Sequence, residues 1–284
     1  MTPLALALVL VAAGLHATWN LLAKRARGGV EFVWLFATLT LVLYAPAVAL
    51  YVLLAHPVLL WVQVVFAAVS SGLHIAYFVT LQRGYRAGDL SLVYPLARGS
   101  GPALAAVLAV AVLGERPGPA GLAGAGLVVV SVFVLAGGTT ATRTARPAVL
   151  FGLATGVFIA LYTVWDGFAV GHLGAAPLLY SYLSEAGRCL LLIPLAWRGR
   201  ATVAAAWRSA RREAVGIAVL SPLAYILVLT AMTFTPISLV APAREVSILL
   251  GTLMGTRLLA EGQGPRRLLA AAGMVAGVTL LALA

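Results

Sequence analysis

The sequence contains very little charge. Asp, Glu, Lys and Arg together make up 10% of its 284 residues, whereas a typical water-soluble domain has about 25%, so a water-soluble globular protein is excluded. Acidic residues are fewer than basic residues, with 8 Asp and Glu against 19 Lys and Arg, and the formal net charge is +11. The basic residues lie in short groups between apolar stretches. This pattern is typical of loops that orient a membrane protein, and we expect no nucleic-acid partner.

Motifs for nucleotide- or metal-dependent chemistry are also absent from the sequence. It has no Gly-rich phosphate-binding loop with a lysine, so coupling to ATP is not predicted. It has no H-E-x-x-H motif and no aspartate-rich prenyl diphosphate motif, and its one cysteine, Cys189, has no partner for an internal disulfide. We therefore predict no metal, no cofactor and no enzymatic activity. A membrane-embedded enzyme and a structural or sensory membrane protein are the alternatives.

Long apolar stretches dominate what is present, since 62% of the residues are hydrophobic and the mean hydropathy is +1.04. Apolar runs of about 18 residues or more, long enough to cross a bilayer core, recur from end to end. Residues 4–15 and 122–136 lack the alternation that a membrane β-barrel strand needs. The sequence therefore predicts an all-α integral membrane protein. No Lys or Arg precedes the first run, so we expect a retained helix rather than a cleaved signal peptide.

We predict ten transmembrane helices from these runs and the polar breaks between them. They lie at about 3–23, 30–55, 59–82, 90–113, 119–136, 148–170, 177–197, 214–235, 238–259 and 266–284. Residues 137–147 and 198–213 form the two long connections. The first of these is rich in Gly and Thr and falls at the middle of the chain, which is typical of a linker between two halves.

The two halves are related in sequence. The segment SLVYPLARGS at 91–100 matches SLVAPAREVS at 238–247 when one gap follows the proline. In that register Arg98 pairs with Arg244, and a shared E-x-x-G-P motif follows in each half. We therefore predict a first five-helix repeat at 1–136, a linker at 137–147 and a second five-helix repeat at 148–284.

An odd number of helices per repeat requires the second copy to lie upside down, and the basic residues support this arrangement. In the first half they follow the first and third helices, whereas in the second half they follow the seventh and ninth. The positive-inside rule then makes that face cytoplasmic and places both termini on the other side. The predicted cytoplasmic connections are 24–29, 83–89, 137–147, 198–213 and 260–265.

The chain resembles the drug/metabolite transporter superfamily, in its EamA-like ten-helix branch. The resemblance covers the whole chain and rests on the two repeats, on HATWNLLAKRA at 16–26, and on the proline regions and closing carboxylates, Glu115 and Glu261, of the fourth and ninth helices. It implies a secondary carrier in the cell membrane, such as an exporter or exchanger of amino acids or related small solutes. One departure is that Trp165 and Asp166 lie near the position equivalent to Lys24.

Prolines lie at equivalent places in the fourth and ninth helices. Pro95 is followed by Gly99 in the fourth helix, and Pro242 lies in the ninth. Proline lacks an amide hydrogen and clashes with the preceding turn, and transporters with inverted repeats bind solutes where helices are interrupted near the bilayer midplane. We predict helix breaks or hinges at these three residues, with ordinary packing kinks as the alternative.

Charged residues inside the predicted spans mark the candidate site. Arg98, Arg188 and Arg244 are accompanied by only two deeply placed carboxylates, Glu185 and Glu245. A charge at the bilayer centre costs at least about 2.5–3.5 kcal/mol, so each should find a partner. Glu185 and Arg188 are spaced to pair on one helix face, whereas the adjacent Arg244 and Glu245 should point in different directions. These charges either lock helices together or receive an anionic group of a solute. The second alternative predicts a small anionic or zwitterionic solute.

Aromatic and amide side chains extend this candidate site to other helices, although helix packing also explains such stripes. With nothing to indicate ATP, a gradient of solute or of protons must drive alternating access. Asp166 lies near the end of its predicted span, where a side chain can face the membrane interface. The predicted solute-binding residues are Trp19, Asn20, Tyr77, Arg98, Tyr162, Arg188, Tyr225 and Arg244, and the proton-coupling candidates are His16, His74, Glu185 and Glu245.

Small residues allow some helices to approach each other closely. The tenth helix has Gly273 and Gly277 four residues apart, and the fifth has Gly121, Gly124 and Gly126. These glycines either pack within the bundle or form a homodimer interface, so a monomer and a homodimer both remain open.

Overall fold

The computed structural model describes residues 1–26, 29–87, 90–136, 146–247 and 265–284. These residues form ten α-helices and no β-strand. The helices are α1 (Pro3–Ala26), α2 (Val30–Ala55), α3 (Trp61–Ala87), α4 (Leu90–Leu113), α5 (Pro119–Ala136), α6 (Arg146–Gly171), α7 (Pro177–Arg198), α8 (Arg200–Met232), α9 (Ile237–Ala243) and α10 (Pro265–Leu283).

Six helices of the described chain contain segments long and apolar enough to cross a membrane. The outward surface of the bundle is also apolar: Val42 is 66% exposed and Leu54 is 74% exposed, and many other Leu and Val side chains are exposed as well. Such a surface is stable against lipid rather than water. The prediction of an all-α membrane protein is confirmed at this level. The six segments are Pro3–Ala23, Val30–Ala55, Trp61–Leu81, Leu96–Leu113, Arg146–Gly171 and Arg200–Met232.

The predicted start of the eighth helix at residue 214 is wrong, because most of the predicted connection at 198–213 is helical. Only Gly199 separates α7 from α8, and α8 begins at Arg200. The segment is rich in Ala and Arg, which both favour helix, and Val203 and Ala206 pack on a buried cluster that includes Phe32. The backbone is non-helical only at Ala210, with φ −135° and ψ 31°, so a kink separates this first part of α8 from the rest. Likewise, α3 continues into the predicted connection at 83–89, as far as Ala87.

The proline regions of α4 and α9 differ. α4 is continuous from Leu90 to Leu113, so the expected break at Pro95 and Gly99 is absent from it. A proline removes one amide donor, and the remaining hydrogen bonds of a long helix can maintain it. α9 contains Pro242 and ends one residue later, at Ala243. Residues 248–264, which contain the remainder of the predicted ninth helix and Glu261, lie outside the described residues.

The helices pack in pairs that bring polar faces together. α1 packs on α8 and α3 on α6, while α4 lies against α6, α5 and α9. The α4–α6 crossing is close because of glycine: a Cβ added at Gly101 would lie 2.6 Å from Cγ2 of Ile159. At the α5–α10 crossing, a Cβ added at Gly124 would lie 2.7 Å from the Gly277 carbonyl oxygen. Gly277 therefore packs within the bundle.

Candidate functional site

Buried charges meet where α4 reaches the end of α9. Arg98 of α4 is 4% exposed, and Arg244 and Glu245 just after α9 are 3% and 1% exposed. One carboxylate oxygen, Oε1 of Glu245, lies 3.7 Å from Nη1 of Arg98 and 3.5 Å from Nε of Arg244. We call these three residues the arginine cluster. Arg98 and Arg244 thus share one carboxylate oxygen.

The contact between Arg244 and Glu245 corrects the prediction that they point in different directions. That prediction assumed a regular helix, in which adjacent side chains are about 100° apart. The helix instead ends at Ala243, and the next residues form a tighter turn, with the Glu245 amide donating to the Pro242 carbonyl oxygen at 3.0 Å. After this turn, the Glu245 carboxylate lies within 4 Å of both Arg244 and Arg98.

The arginine cluster is incompletely hydrogen-bonded. Within the described part of the chain, Nε and Nη2 of Arg244 and both carboxylate oxygens of Glu245 are buried without a hydrogen-bond partner. The ion-pair distances of 3.5 and 3.7 Å also exceed the roughly 2.7–2.9 Å of a charge-assisted hydrogen bond. Buried donors and acceptors are normally satisfied. The cluster can therefore accept both an anionic and a cationic group from a ligand.

Side chains of α1 line one side of the arginine cluster. Nε2 of His16 contacts Nη2 of Arg98, and Nε1 of Trp19 donates to Nδ1 of His16 at 3.1 Å. The two rings meet edge to face at 4.8 Å. Asn20 instead donates to the backbone oxygen of His16 at 2.7 Å. His16 and Trp19 thus adjoin the arginines, whereas the Asn20 amide bonds its own helix.

A second polar group surrounds Asp166 on α6, which is fully buried. Its Oδ1 accepts a hydrogen bond from the Tyr180 hydroxyl of α7 at 2.7 Å. Its Oδ2 accepts from Ser70 of α3 at 3.0 Å and from the Tyr225 hydroxyl of α8. Ser184 of α7 in turn donates to Ser70 at 3.1 Å. We call these five residues the aspartate network, and they connect four helices.

The side chain of Asp166, which the sequence places near the end of its predicted span, is enclosed by α3, α7 and α8 rather than exposed. Its position on an otherwise apolar helix was the available signal, since a carboxylate among apolar residues needs several donors to be buried. Asp166 is also a third buried carboxylate, so the three arginines are not in excess of carboxylates.

Aromatic rings fill the space beside the aspartate network. His74 stacks on Tyr162 with ring centroids 4.2 Å apart and meets Tyr225 edge to face at 5.6 Å. Tyr77 lies edge to face with Tyr162 at 5.8 Å. Nδ1 of His74 lies 2.9 Å from the Ser70 carbonyl oxygen, to which an Nδ1–H can donate. The structure therefore brings together Tyr77, Tyr162 and Tyr225 from three different helices.

The predicted pairing of Glu185 with Arg188 is confirmed, with 3.2 Å between Oε2 and Nη1. The charge of Arg188 also acts on His74 and Asp166. The charge of Arg244 acts on both His74 and His16. Tyr162 and Tyr225, beside or within the aspartate network, pack in one cluster with Ala97, which directly precedes Arg98, so the aspartate network and the arginine cluster are neighbours.

Glu115, one of the two helix-end carboxylates, has a structural role. Its Oε1 accepts from the Ile237 amide at 2.8 Å and its Oε2 from the Ser238 amide at 2.9 Å. These are the first two residues of α9, whose N-cap residue, Pro236, makes no side-chain cap hydrogen bond. A carboxylate at a helix N-terminus satisfies free amides and favours the helix dipole. Glu115 thus fixes the start of the helix that carries the arginine cluster.

The predicted hinge residues have mixed outcomes. A Cβ added at Gly99 would lie 2.8 Å from the Phe133 ring, so this glycine permits close packing of α4 on α5. The side chain of Pro95 lies outside the described residues. Pro242 coincides with the end of α9. In the described part of the chain, no group of three or more His, Cys, Asp and Glu side chains is arranged to hold a metal ion.

No protein-family model and no curated protein matches this chain. Its fold does match solved structures. One of them, described as "Crystal structure of protein", superposes on 98% of this chain and 96% of its own with a TM-score of 0.70 and 19% sequence identity. At this identity the likeness concerns the fold alone. These comparisons therefore establish that the all-helical arrangement occurs in a known protein of nearly the same length.

Proposed function

We propose that this protein is a secondary transporter of the EamA-like type, which moves small zwitterionic solutes such as amino acids across the cell membrane by alternating access. The site that would bind the solute is the arginine cluster, with Trp19, Tyr77, Tyr162 and Tyr225 beside it. Transport would be exchange or proton-coupled flux, because the sequence contains no motif for ATP.

Ten membrane spans in two inverted repeats belong to this proposal. Under the repeat register, α1 to α5 correspond in order to α6 to α10. The helix packing supports the correspondence, because the contact of α1 with α8 has a counterpart in that of α6 with α3. The contact of α2 with α8 likewise has a counterpart in that of α7 with α3. The pairs α2–α7, α4–α9 and α5–α10 meet each other, as helices related by a central twofold axis would.

The observation that carries the proposal is the unsatisfied pair of adjacent charges at the end of α9. Arg244 has buried guanidinium nitrogens without hydrogen-bond partners among the described residues, and Glu245 has both oxygens in the same condition. A carboxylate suits the arginine fork and an ammonium suits the glutamate. A small α-amino acid carries both groups, so one molecule satisfies both charges.

The same geometry supports alternating access. α4 is continuous, whereas α9 ends at Ala243 directly before the charged pair. A bound solute that bridges Arg244 and Glu245 would weaken the hold of Glu245 on Arg98 and so loosen the contact between α4 and α9. Movement of one repeat against the other around such a site is the mechanism typical of carriers with inverted repeats.

Ligand-dependent thermal stability of the purified protein tests the solute class. The panel contains L-alanine, L-threonine and L-phenylalanine, together with the corresponding amines, which lack the carboxylate, and carboxylic acids, which lack the ammonium. We expect stabilisation by one or more amino acids and little by their single-charge analogues. Arg244→Gln should weaken binding by about tenfold, as expected for the loss of a charge-assisted hydrogen bond.

Arg208→Gln is the matched control, because Arg208 is an exposed arginine on α8. It should bind like the wild type. Equal stabilisation of the wild type and of folded Arg244→Gln by neutral or cationic solutes would refute the zwitterion site. If Arg98→Gln and Arg244→Gln both fail to fold, the arginine cluster is a structural ion-pair network instead.

A further inference from the structure

Asp166 differs from the other buried carboxylates of the described chain in what holds it. Glu185 pairs with Arg188, and Glu245 lies within 4 Å of two arginines. Asp166 makes no ion pair of that length with a described residue, and its direct partners are the hydroxyls of Ser70, Tyr180 and Tyr225. A buried carboxylate that is held by hydroxyls rather than by a contacting cation can exist as either the charged or the neutral acid.

We infer that Asp166 is the residue that carries the coupling proton of this transporter, with Tyr180 as the hydroxyl that switches partner when the proton binds. The inference rests on the proposed transport function and assigns its driving ion and the residue that binds it. It replaces the four earlier candidates, His16, His74, Glu185 and Glu245.

The surroundings of Tyr180 provide the switch. Its hydroxyl oxygen lies 2.7 Å from Oδ1 of Asp166 and 3.3 Å from the backbone oxygen of Phe66 on α3. With Asp166 charged, the hydroxyl donates to Oδ1. When a proton binds Oδ1, the new carboxyl O–H donates to the Tyr180 oxygen, and the Tyr180 hydrogen turns to the Phe66 oxygen. One O–H bond forms on Asp166, no bond of Tyr180 breaks, and every donor keeps an acceptor.

The groups facing Asp166 connect this switch to the solute site. His74 and Ser70 face it from α3, Tyr162 lies one turn before it on α6, and Tyr225 faces it from α8. From α7, Arg188 acts on both Asp166 and His74 while it pairs with Glu185. Arg244, from the end of α9, acts on His74 as well. Neutralising Asp166 therefore removes a negative charge near Arg188, which also pairs with Glu185.

The geometry fits a proton better than a metal ion. A sodium or similar hard cation needs several oxygen lone pairs directed at one point. Here three hydroxyls direct hydrogens at the carboxylate instead, and the Phe66 oxygen already accepts a hydrogen bond from Trp165 at 2.9 Å. A proton can be accommodated by turning one hydroxyl, whereas a cation would require several to turn.

Two measurements test the inference on the intact protein. Infrared difference spectroscopy of the purified protein during a pH titration detects a protonated carboxyl group without any solute. The second measurement uses proteoliposomes and the amino acid that is transported fastest. We define the coupling ratio as its accumulation with an imposed pH gradient divided by its accumulation without one. A change in the overall transport rate affects both values equally and leaves this ratio unchanged. The variants are Asp166→Asn and Tyr180→Phe. Tyr182→Phe is the control, since the Tyr182 hydroxyl on the same helix donates to Leu41 at 3.2 Å and lies outside the aspartate network.

We expect the wild type to show a titrating carboxyl band and a coupling ratio different from one. Asp166→Asn should lose that band and bring the ratio to one, Tyr180→Phe should keep the band but reduce the coupling, and Tyr182→Phe should match the wild type. If Asp166→Asn does not fold, Tyr180→Phe tests the inference instead, and an unchanged coupling ratio in Tyr180→Phe overturns it. A wild-type ratio of one, or an unchanged band in Asp166→Asn, also overturns it. Absence of any solute exchange by the wild type would instead refute the proposed function, and the infrared result would still decide whether Asp166 binds a proton.

Discussion

Glu115 offers a quantitative test of how the chain positions the arginine cluster. Its two oxygens accept the amides of Ile237 and Ser238 at 2.8 and 2.9 Å. Both donor residues are buried, with exposures of 3% and 2%, so water is a poor replacement for the carboxylate. The substitution Glu115→Ala removes both acceptor oxygens. Glu115→Gln retains one acceptor oxygen but replaces the other with an NH₂ group, which faces a backbone amide that is also a donor.

The expected cost follows from the two lost hydrogen bonds. A buried donor left without an acceptor costs about 1–3 kcal/mol, so Glu115→Ala should destabilise the folded state by about 2–6 kcal/mol. Glu115→Gln should cost about half as much, because one hydrogen bond is kept without its charge. The loss of a negative charge at the helix N-terminus acts in the same direction.

Unfolding by sodium dodecyl sulfate in mixed micelles, followed by circular dichroism, measures the free energy differences. The control is Arg116→Ala, which removes the neighbouring exposed charged side chain. The predicted order of stability is wild type and Arg116→Ala, then Glu115→Gln, then Glu115→Ala. If Glu115→Ala and Arg116→Ala have the same free energy of unfolding, the carboxylate does not support α9 and the reasoning is refuted.

Two further predictions concern packing and orientation. Gly124→Ala should destabilise the protein by about 1–3 kcal/mol, because its Cβ would lie 2.7 Å from a backbone oxygen of α10, whereas Gly126→Ala, with nothing within 4 Å, should be tolerated. The same denaturation assay checks this pair, and equal stabilities would contradict it. In a variant without the native cysteine, a cysteine at exposed Ser209 should react with a membrane-impermeant maleimide from the cytoplasm, and one at exposed His172 from the opposite side. The reverse labelling would contradict the proposed orientation.

Helix positions were predictable from sequence where apolar runs are bounded by strong breaks. α2, α4 and α5 have the bounds that the sequence predicts, since Gly, Pro or charged residues interrupt the apolar pattern next to each of them. The first part of α8 was not predictable in this way. Its apolar residues are mostly alanines between arginines, so the segment has high helix propensity but no long apolar run.

The candidate site was predictable only in part, for a related reason. The repeat register predicts that Arg98 and Arg244 are equivalent, which stays a prediction, whereas the pairing of Glu185 with Arg188 follows from helix geometry. The contact of Arg244 with Glu245 depends on where α9 ends, which the sequence does not specify. The burial of Asp166 depends on hydroxyls from α3, α7 and α8, and these partners are 96, 14 and 59 residues away along the chain.

Solute exchange through the purified protein tests the central claim most directly. Protein reconstituted in liposomes is loaded with one unlabelled amino acid and presented with the same amino acid carrying an isotopic label, and the vesicle contents are identified by mass spectrometry. The account predicts that at least one amino acid enters by exchange, chemically unchanged, and that Arg244→Gln exchanges it more slowly than Arg208→Gln does. Contents equal to those of protein-free liposomes for every amino acid, or conversion of the solute to a product, would contradict it.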